Sequence, residues 1–132
     1  MAKGIATVTA QMKELLDEYN REAEQAVNEA AVEASDLCVN QLKNTSPKRP
    51  GSGKYARSWT VKKEHASSGV ADYIVHNKDY YQLTHLLENG HVIRNGKGTY
   101  GRTSPIHHIG PAADSAIQRF DLGVRARIRS LK

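Results

Sequence analysis

The chain has 132 residues, a formal net charge of +5, 39% hydrophobic residues and 25% charged residues. This balance fits one folded domain with a modest core and excludes a disordered chain. One cysteine, Cys38, excludes an internal disulfide, and its apolar surroundings predict a small buried side chain. The chain opens with no basic leader before an apolar run, and no stretch has the length of a membrane span. We therefore expect a protein made and used in the cytoplasm, away from the membrane.

The charge is distributed unevenly along the chain. Residues 1–43 carry 4 Lys/Arg and 8 Asp/Glu, a net of −4, whereas residues 44–132 carry 15 and 6, a net of +9. Three interpretations fit this asymmetry: ordinary solvated surface, contact with nucleic acid, or pairing of one subunit's acidic helix with a neighbour's basic part.

Residues 1–43 are predicted to form one long helix. Apolar positions recur from Val8 to Leu37 at intervals of three or four residues, with an average near 3.6. The pattern repeats after 11 residues rather than 7, which argues against an ordinary left-handed coiled coil. The stretch from about Thr7 to Lys43 would form a helix about 55 Å long, so one end is expected to project toward a partner. Its acidic side chains provide the candidate contacts Glu14, Asp17 and Glu18.

Residues 44–54 are predicted to be a loop, because Pro47 disfavours helical geometry in the residue before it and two glycines follow. Lys48, Arg49 and Lys54 make the loop basic and are candidate partner contacts. The glycine spacing is not that of a P-loop, and no helix is expected after it. A loop that orders on assembly is therefore favoured over a phosphate site.

Residues 55–110 are predicted to hold the sheet. Two stretches rich in β-formers, 55–63 and 70–76, predict an antiparallel hairpin, with Tyr55, Trp59 and Val61 on one face of the first strand. A short helix over 79–89 follows, with Asp79 as its cap and Gln82 reaching back. Asn89-Gly90 is expected to stop that helix.

Residues 94–105 are predicted to be a glycine-rich flexible loop or hairpin. Arg94, Lys97 and Arg102 surround Tyr100, and basic residues beside an aromatic ring are one feature of single-strand nucleic-acid binding.

The last element, 111–131, shows two competing patterns. Alternation of Val124, Ala126 and Ile128 with Arg125, Arg127 and Arg129 indicates a strand, but a longer 4, 3, 4, 4, 3 spacing indicates a helix. The longer pattern favours the helix, with a bend or break expected at Gly123. Together the elements predict an α+β fold in a single domain, 1–132. A long N-terminal helix and a C-terminal helix pack on a small, mainly antiparallel β-sheet, with a short helix between strands.

Six histidines raise the question of catalysis, but no metal-ligand spacing and no Gly-x-Ser-x-Gly nucleophile elbow occurs. His85, His91 and His108 could converge on a metal ion, as in a histidine-dependent metal hydrolase, or hydrogen-bond backbone at turn ends. We expect the second arrangement, and hence no catalytic residue, no cofactor, no metal site and no enzyme.

Two motifs carry a family resemblance: Leu-Thr-His-Leu-Leu-Glu-Asn-Gly-His over 83–91 and His-Ile-Gly-Pro-Ala over 108–112. With the long first helix, the 46–59 segment and the closing helix, they resemble the siphophage head–tail joining or tail-completion proteins. These are the small neck and minor-tail components of the gene-product-ten-like family.

The resemblance implies a structural virion protein of a tailed phage or prophage. It would form a sixfold ring of its own copies in the neck, between the head-side connector or stopper protein and the tail-tube protein. DNA would pass through the lumen without sequence-specific binding. From the charge asymmetry we also predict that the acidic long helix of one subunit meets basic residues of the next, such as Arg125, Arg127 and Arg129. The alternative is a basic nucleic-acid-binding module that uses the cations Lys48, Arg49, Lys54, Arg94, Lys97 and Arg102.

Overall fold

A computed structural model of the chain describes residues 2–48, 53–65, 69–90, 92–95 and 98–131. Two long helices, α1 (Ala2–Thr45) and α4 (Ile109–Arg129), lie against each other and enclose the hydrophobic core together with an antiparallel sheet. The predicted α+β fold is confirmed. None of the helices in these ranges is long and apolar enough to cross a membrane.

Helix α1 has 44 residues and is about 66 Å long. Its second half buries Ala26, Ala30, Ala34, Cys38 and Leu42 on one face, so the predicted burial of the cysteine is confirmed. Every residue from 8 to 21 is exposed. One helix therefore contains both a core-forming half and a segment that lies outside the core.

Helix α4 runs antiparallel to α1, with Ala112 in the core cluster beside Cys38 and Leu42, and Gly123 opposite Ala30. A Cβ at position 123 would lie 3.3 Å from the Ala30 Cβ, so the two helices approach closely there. The expected break at Gly123 is wrong: α4 continues through it to Arg129. Glycine at this position is explained by the close helix contact instead.

Two β-hairpins complete the fold. Strand β1 (Trp59–His65) pairs with β2 (Ala71–Asn77) in antiparallel register, Trp59 opposite Asn77 and His65 opposite Ala71, and this sheet packs on α1. Strands β3 (Val92–Asn95) and β4 (Gly98–Arg102) form a second antiparallel pair. The segment 94–105, predicted as a loop or hairpin, is thus largely a hairpin.

The first strand begins later than predicted. Residues Lys54–Arg57 form a short helix, α2, because Gly53 adopts φ +75° and the Arg57 amide bonds the Gly53 carbonyl at 3.0 Å. Ser58 then closes the turn by donating from its Oγ to the Lys54 carbonyl at 2.6 Å. The strand predicted over 55–63 is wrong for 55–58, and the expectation that no helix follows the basic loop is also wrong.

The short helix begins later as well, as a 3₁₀ turn (Tyr81–Leu83) followed by α3 (Thr84–Asn89). Asp79 does not cap it; its carboxylate lies 3.3 Å from Ser58 Oγ. Asn77 Oδ1 holds the preceding turn by accepting the Tyr80 amide at 2.8 Å. Gly90 ends α3 with φ +76°, as the Asn-Gly pair predicts.

Candidate functional site

The carboxylate of Glu88, at the end of α3, caps the N-terminus of α4. Its Oε1 accepts the amides of His108 and Ile109, both at 2.8 Å, and its Oε2 accepts the Gly110 amide at 2.9 Å. These amides are among those that an α-helix leaves free at its start, where a negative charge is favoured. Burial acts to raise the pKa of Glu88, but the three amide bonds and the nearby His108 ring outweigh burial and lower that pKa.

The His108 ring is fully buried behind this cap. Its Nδ1 lies 2.7 Å from the Ile106 carbonyl and 3.1 Å from Glu88 Oε1, so Nδ1 carries the proton and donates. Its Nε2 lies 2.8 Å from the Tyr55 hydroxyl and accepts from it. Burial, with a smaller contribution from the Glu88 charge, raises the pKa of Tyr55 to about 12, which keeps this hydroxyl protonated as a donor.

The network continues into the other elements. The rings of Tyr55 and Trp59 pack edge to face at 5.7 Å, and the Trp59 indole N–H donates to Ser46 Oγ at the end of α1, at 2.8 Å. The buried Asn77 donates to the Tyr55 carbonyl at 2.9 Å. Glu88, His108, Tyr55, Trp59 and Asn77, here called the polar hub, therefore connect both long helices with α2, α3 and the first sheet.

The chemistry of the polar hub is structural. Its histidine is closed to solvent and saturated with hydrogen bonds, so it has no open face for a substrate. His85 is exposed on α3 and does not join it, and His91 lies outside the described residues. Within the described ranges, no three His, Cys, Asp or Glu side chains are placed to hold a metal ion. His108 takes the second arrangement considered above, a backbone hydrogen bond at a turn end.

A second set of polar contacts joins α1 to α4. The Arg127 guanidinium bonds Glu29 Oε2 at 3.3 Å and Glu33 Oε2 at 3.1 Å, and Arg119 lies 4.0 Å from the same Glu33 atom. Arg127 is 27% exposed, so these pairs lie at the rim of the helix contact. The acidic helix and the basic helix therefore do pair, as the charge asymmetry suggested, but here Arg127 pairs within its own chain.

An open groove of about 380 Å³ lies between α1, β2 and α4. Alanines and other apolar side chains dominate its lining, including Cys38, Val75 and Phe120, and Asp72 is its one charged residue among those described. A groove of this composition offers apolar contact and no acid–base pair.

Comparison with protein families identifies the family of the chain. The model of a family described as "Bacteriophage HK97-gp10, putative tail-component" matches residues 6–90, which is 85 of the 132 residues. The chain belongs to this HK97-gp10-like family of phage proteins. The resemblance to gene-product-ten-like phage proteins is thereby confirmed, and the chain is a structural tail protein of a phage. Comparison with curated proteins and with solved structures finds no match.

The family match ends at Gly90. It therefore includes Glu88 but not α4, the helix that Glu88 caps. Helix α1 from residue 6 onward and the first sheet lie within it, whereas the second hairpin and α4 lie beyond it. The charged contact between α1 and α4 therefore joins the matched region to the rest of the chain.

The candidate contact residues fall into separate places on this HK97-gp10-like fold. Glu14, Asp17 and Glu18 lie exposed on the first half of α1, and Lys48 and Lys54 lie exposed beyond its opposite end. The Arg102 guanidinium donates to the Asn89 carbonyl at 3.3 Å. Arg125 pairs with Asp121 at 3.0 Å on α4, and Arg129 is exposed in the last turn of α4. Arg94 lies in β3. Arg49 and Lys97 lie outside the described residues.

Sequence reasoning missed Glu88, Asn77 and Ser46, which hold the polar hub together. One signal was present: Pro111 lies in the first turn of a helix that has no Ser, Thr, Asp or Asn immediately before it. A cap from elsewhere in the chain is one way to satisfy the free amides, but Glu88, 20 residues before His108, could not be identified from the local sequence.

Proposed function

We propose that the chain forms a sixfold ring in the phage neck, completes the tail and joins it to the DNA-filled head. The family match supports the coarser part of this proposal, a structural tail protein. The ring would contact a head-side connector or stopper protein and the tail-tube protein. It would act by surface complementarity rather than by catalysis, and would be made in the host cytoplasm before it enters the virion.

The observation that carries the ring is the presence of two different exposed surfaces of opposite charge on one chain. The acidic residues Glu14, Asp17 and Glu18 lie at the projecting end of α1, and Arg125 and Arg129 lie on α4. A head-to-tail ring requires two different patches that fit each other, whereas a twofold dimer requires one patch that fits itself.

Native mass spectrometry with electron microscopy tests the ring directly. The purified chain, alone or with tail tubes, should give a closed particle of six copies. A chain that stays monomeric under both conditions would contradict the proposal.

Deletion of the coding sequence from its phage tests the joining step. We expect DNA-filled heads and separate tails to accumulate, and the chain supplied in trans to restore joined particles. Normal particles from the deleted phage would show that joining does not need this protein.

DNA binding separates the proposed ring from the alternative basic module. A lumen wall should bind duplex DNA weakly and without sequence preference. A tight affinity that falls steeply with salt would favour the nucleic-acid module instead.

A further inference from the structure

The first half of α1 carries an uncovered apolar stripe, here called the α1 ridge. It consists of five large side chains, each between 44% and 66% exposed: Val8, Met12, Leu15, Leu16 and Tyr19. Their spacing places them on one face of the helix. Contiguous exposed apolar surface of this kind marks an interaction site more often than ordinary surface.

The α1 ridge continues the face that binds α4 further along the same helix. Leu15 and Tyr19 lie eleven residues before the buried Ala26 and Ala30. Eleven residues are about three helical turns, so residues with this separation share a face. The ridge is thus the same stripe, extended past the end of α4.

The acidic rim of that face repeats as well. Glu18 and Glu22 lie eleven residues before Glu29 and Glu33, the two carboxylates that bind Arg127 of α4. The first half of α1 therefore has the features of an α4-binding surface, an apolar stripe with a pair of glutamates, but among the described residues no arginine-bearing helix lies beside it.

Helix α4 offers a matching surface on its far side, here called the outer α4 face. Leu122 is 64% exposed, and Arg125 and Arg129 follow it by three and seven residues, on the same side of the helix. Asp121 lies on this side too and pairs with Arg125 at 3.0 Å, whereas Arg127 is bound by α1 of its own chain. The outer α4 face thus combines an exposed apolar side chain with two exposed arginines and one aspartate, a net charge of +1.

We propose that the α1 ridge of one copy docks on the outer α4 face of a second copy, with Glu18 and Glu22 facing Arg125 and Arg129. This names the subunit contact of the proposed ring and rests on that proposal. Two ridges packed together are disfavoured, because residues 8–22 carry two Lys/Arg and four Asp/Glu, a net of −2, in each copy. A contact between the ridge and the outer α4 face brings opposite charges together. It leaves the outer α4 face of one copy and the ridge of the other free to bind further copies and continue the ring.

Leu15→Asp tests the ridge. The side chain is exposed, so the free chain should fold normally by circular dichroism, whereas the concentration at which copies associate should rise about tenfold or more, equivalent to at least about 1.4 kcal/mol. Val32→Asp is the matched control, since Val32 is an exposed apolar residue of α1 outside the ridge. It should change the association by less than about twofold.

Charge reversal tests the partner surface. Glu18→Arg with Glu22→Arg in one chain, and Arg125→Glu with Arg129→Glu in another, should each abolish association alone, because like charges would meet. An equimolar mixture should associate again, with the two chains alternating, as sedimentation velocity would show.

The outcomes separate this contact from the ring itself. Wild-type-like association of Leu15→Asp, or no recovery in the mixture, would overturn the ridge-to-α4 contact while the proposed ring stands. A wild-type chain that never associates, alone or with tail tubes, would overturn both.

Discussion

The two parts of α1 differ in side-chain size as much as in burial. In the half that packs on α4, the stripe is made of Ala26, Ala30 and Ala34, opposite Gly123, and the helix axes come close together. In the projecting part the same stripe carries leucine, methionine, valine and tyrosine. Small residues fit a contact already made within the chain. Large exposed ones provide apolar area for a contact still to be made.

The polar hub lies at the end of α1 that packs on α4 and should be the part of the molecule most sensitive to substitution. Trp59→Ala removes a ring that is 5% exposed, together with its hydrogen bond to Ser46. We expect a loss of about 3–5 kcal/mol in the free energy of unfolding, measured by urea denaturation. Ile117→Ala, at a residue 66% exposed, is the control and should cost less than about 1 kcal/mol. Equal losses at the two positions would contradict the assigned core.

The close helix contact is the next most sensitive. Gly123→Val places a side chain against Ala30 and should destabilise the chain by about 1–3 kcal/mol, although valine has the better helix propensity. Gln118→Val adds an apolar side chain at an exposed position of the same helix and should stay within about 0.5 kcal/mol of wild type. A stabilising Gly123→Val would show that the helices are further apart than described.

The cap of α4 gives a prediction that depends on pH. Glu88→Gln keeps the shape of the side chain but removes its charge, and should cost about 1–2 kcal/mol at pH 7. The pKa of Glu88 is lowered in the folded chain, so its contribution is complete above the ordinary value of 4.5 and is lost as the pH falls through the lower folded value. The difference between wild type and variant, measured by urea unfolding from pH 7 to pH 3, should therefore shrink in acid. Glu14→Gln, at an exposed acid of α1, is the matched control and should cost less than about 0.5 kcal/mol at pH 7; a difference for Glu88→Gln that is constant with pH would contradict the cap.

The smallest effect is expected at the projecting end. Leu15→Ala should change the stability of the unassociated chain by less than about 0.5 kcal/mol, whereas Leu42→Ala in the same helix should cost about 2–5 kcal/mol. Thermal or urea unfolding at low protein concentration measures both. A large cost at Leu15 would place the ridge in the core of the free chain.

Periodicity made both long helices predictable, because the apolar stripes of α1 and α4 are local patterns in sequence. The start of β1 was not predictable, since Tyr55 fits the alternation of strand residues but lies in α2, where its hydroxyl donates to His108 and its carbonyl accepts from Asn77, both far along the chain. Asp79 followed the local capping pattern, yet the nearby turn is held by Asn77. The charge asymmetry predicted that the acidic α1 of one subunit pairs with the basic α4 of the next, whereas Arg127 pairs with Glu29 and Glu33 of its own chain, an arrangement that charge along the sequence does not distinguish.

Hydrogen exchange on the free and the assembled protein tests the difference between the two parts of α1 most directly. The amides of residues 8–21 should exchange rapidly in the free chain, because that segment lies outside the core, and should become protected in the assembled ring. The amides of residues 26–42 should be protected in both states. Equal protection of residues 8–21 before and after assembly would contradict the account.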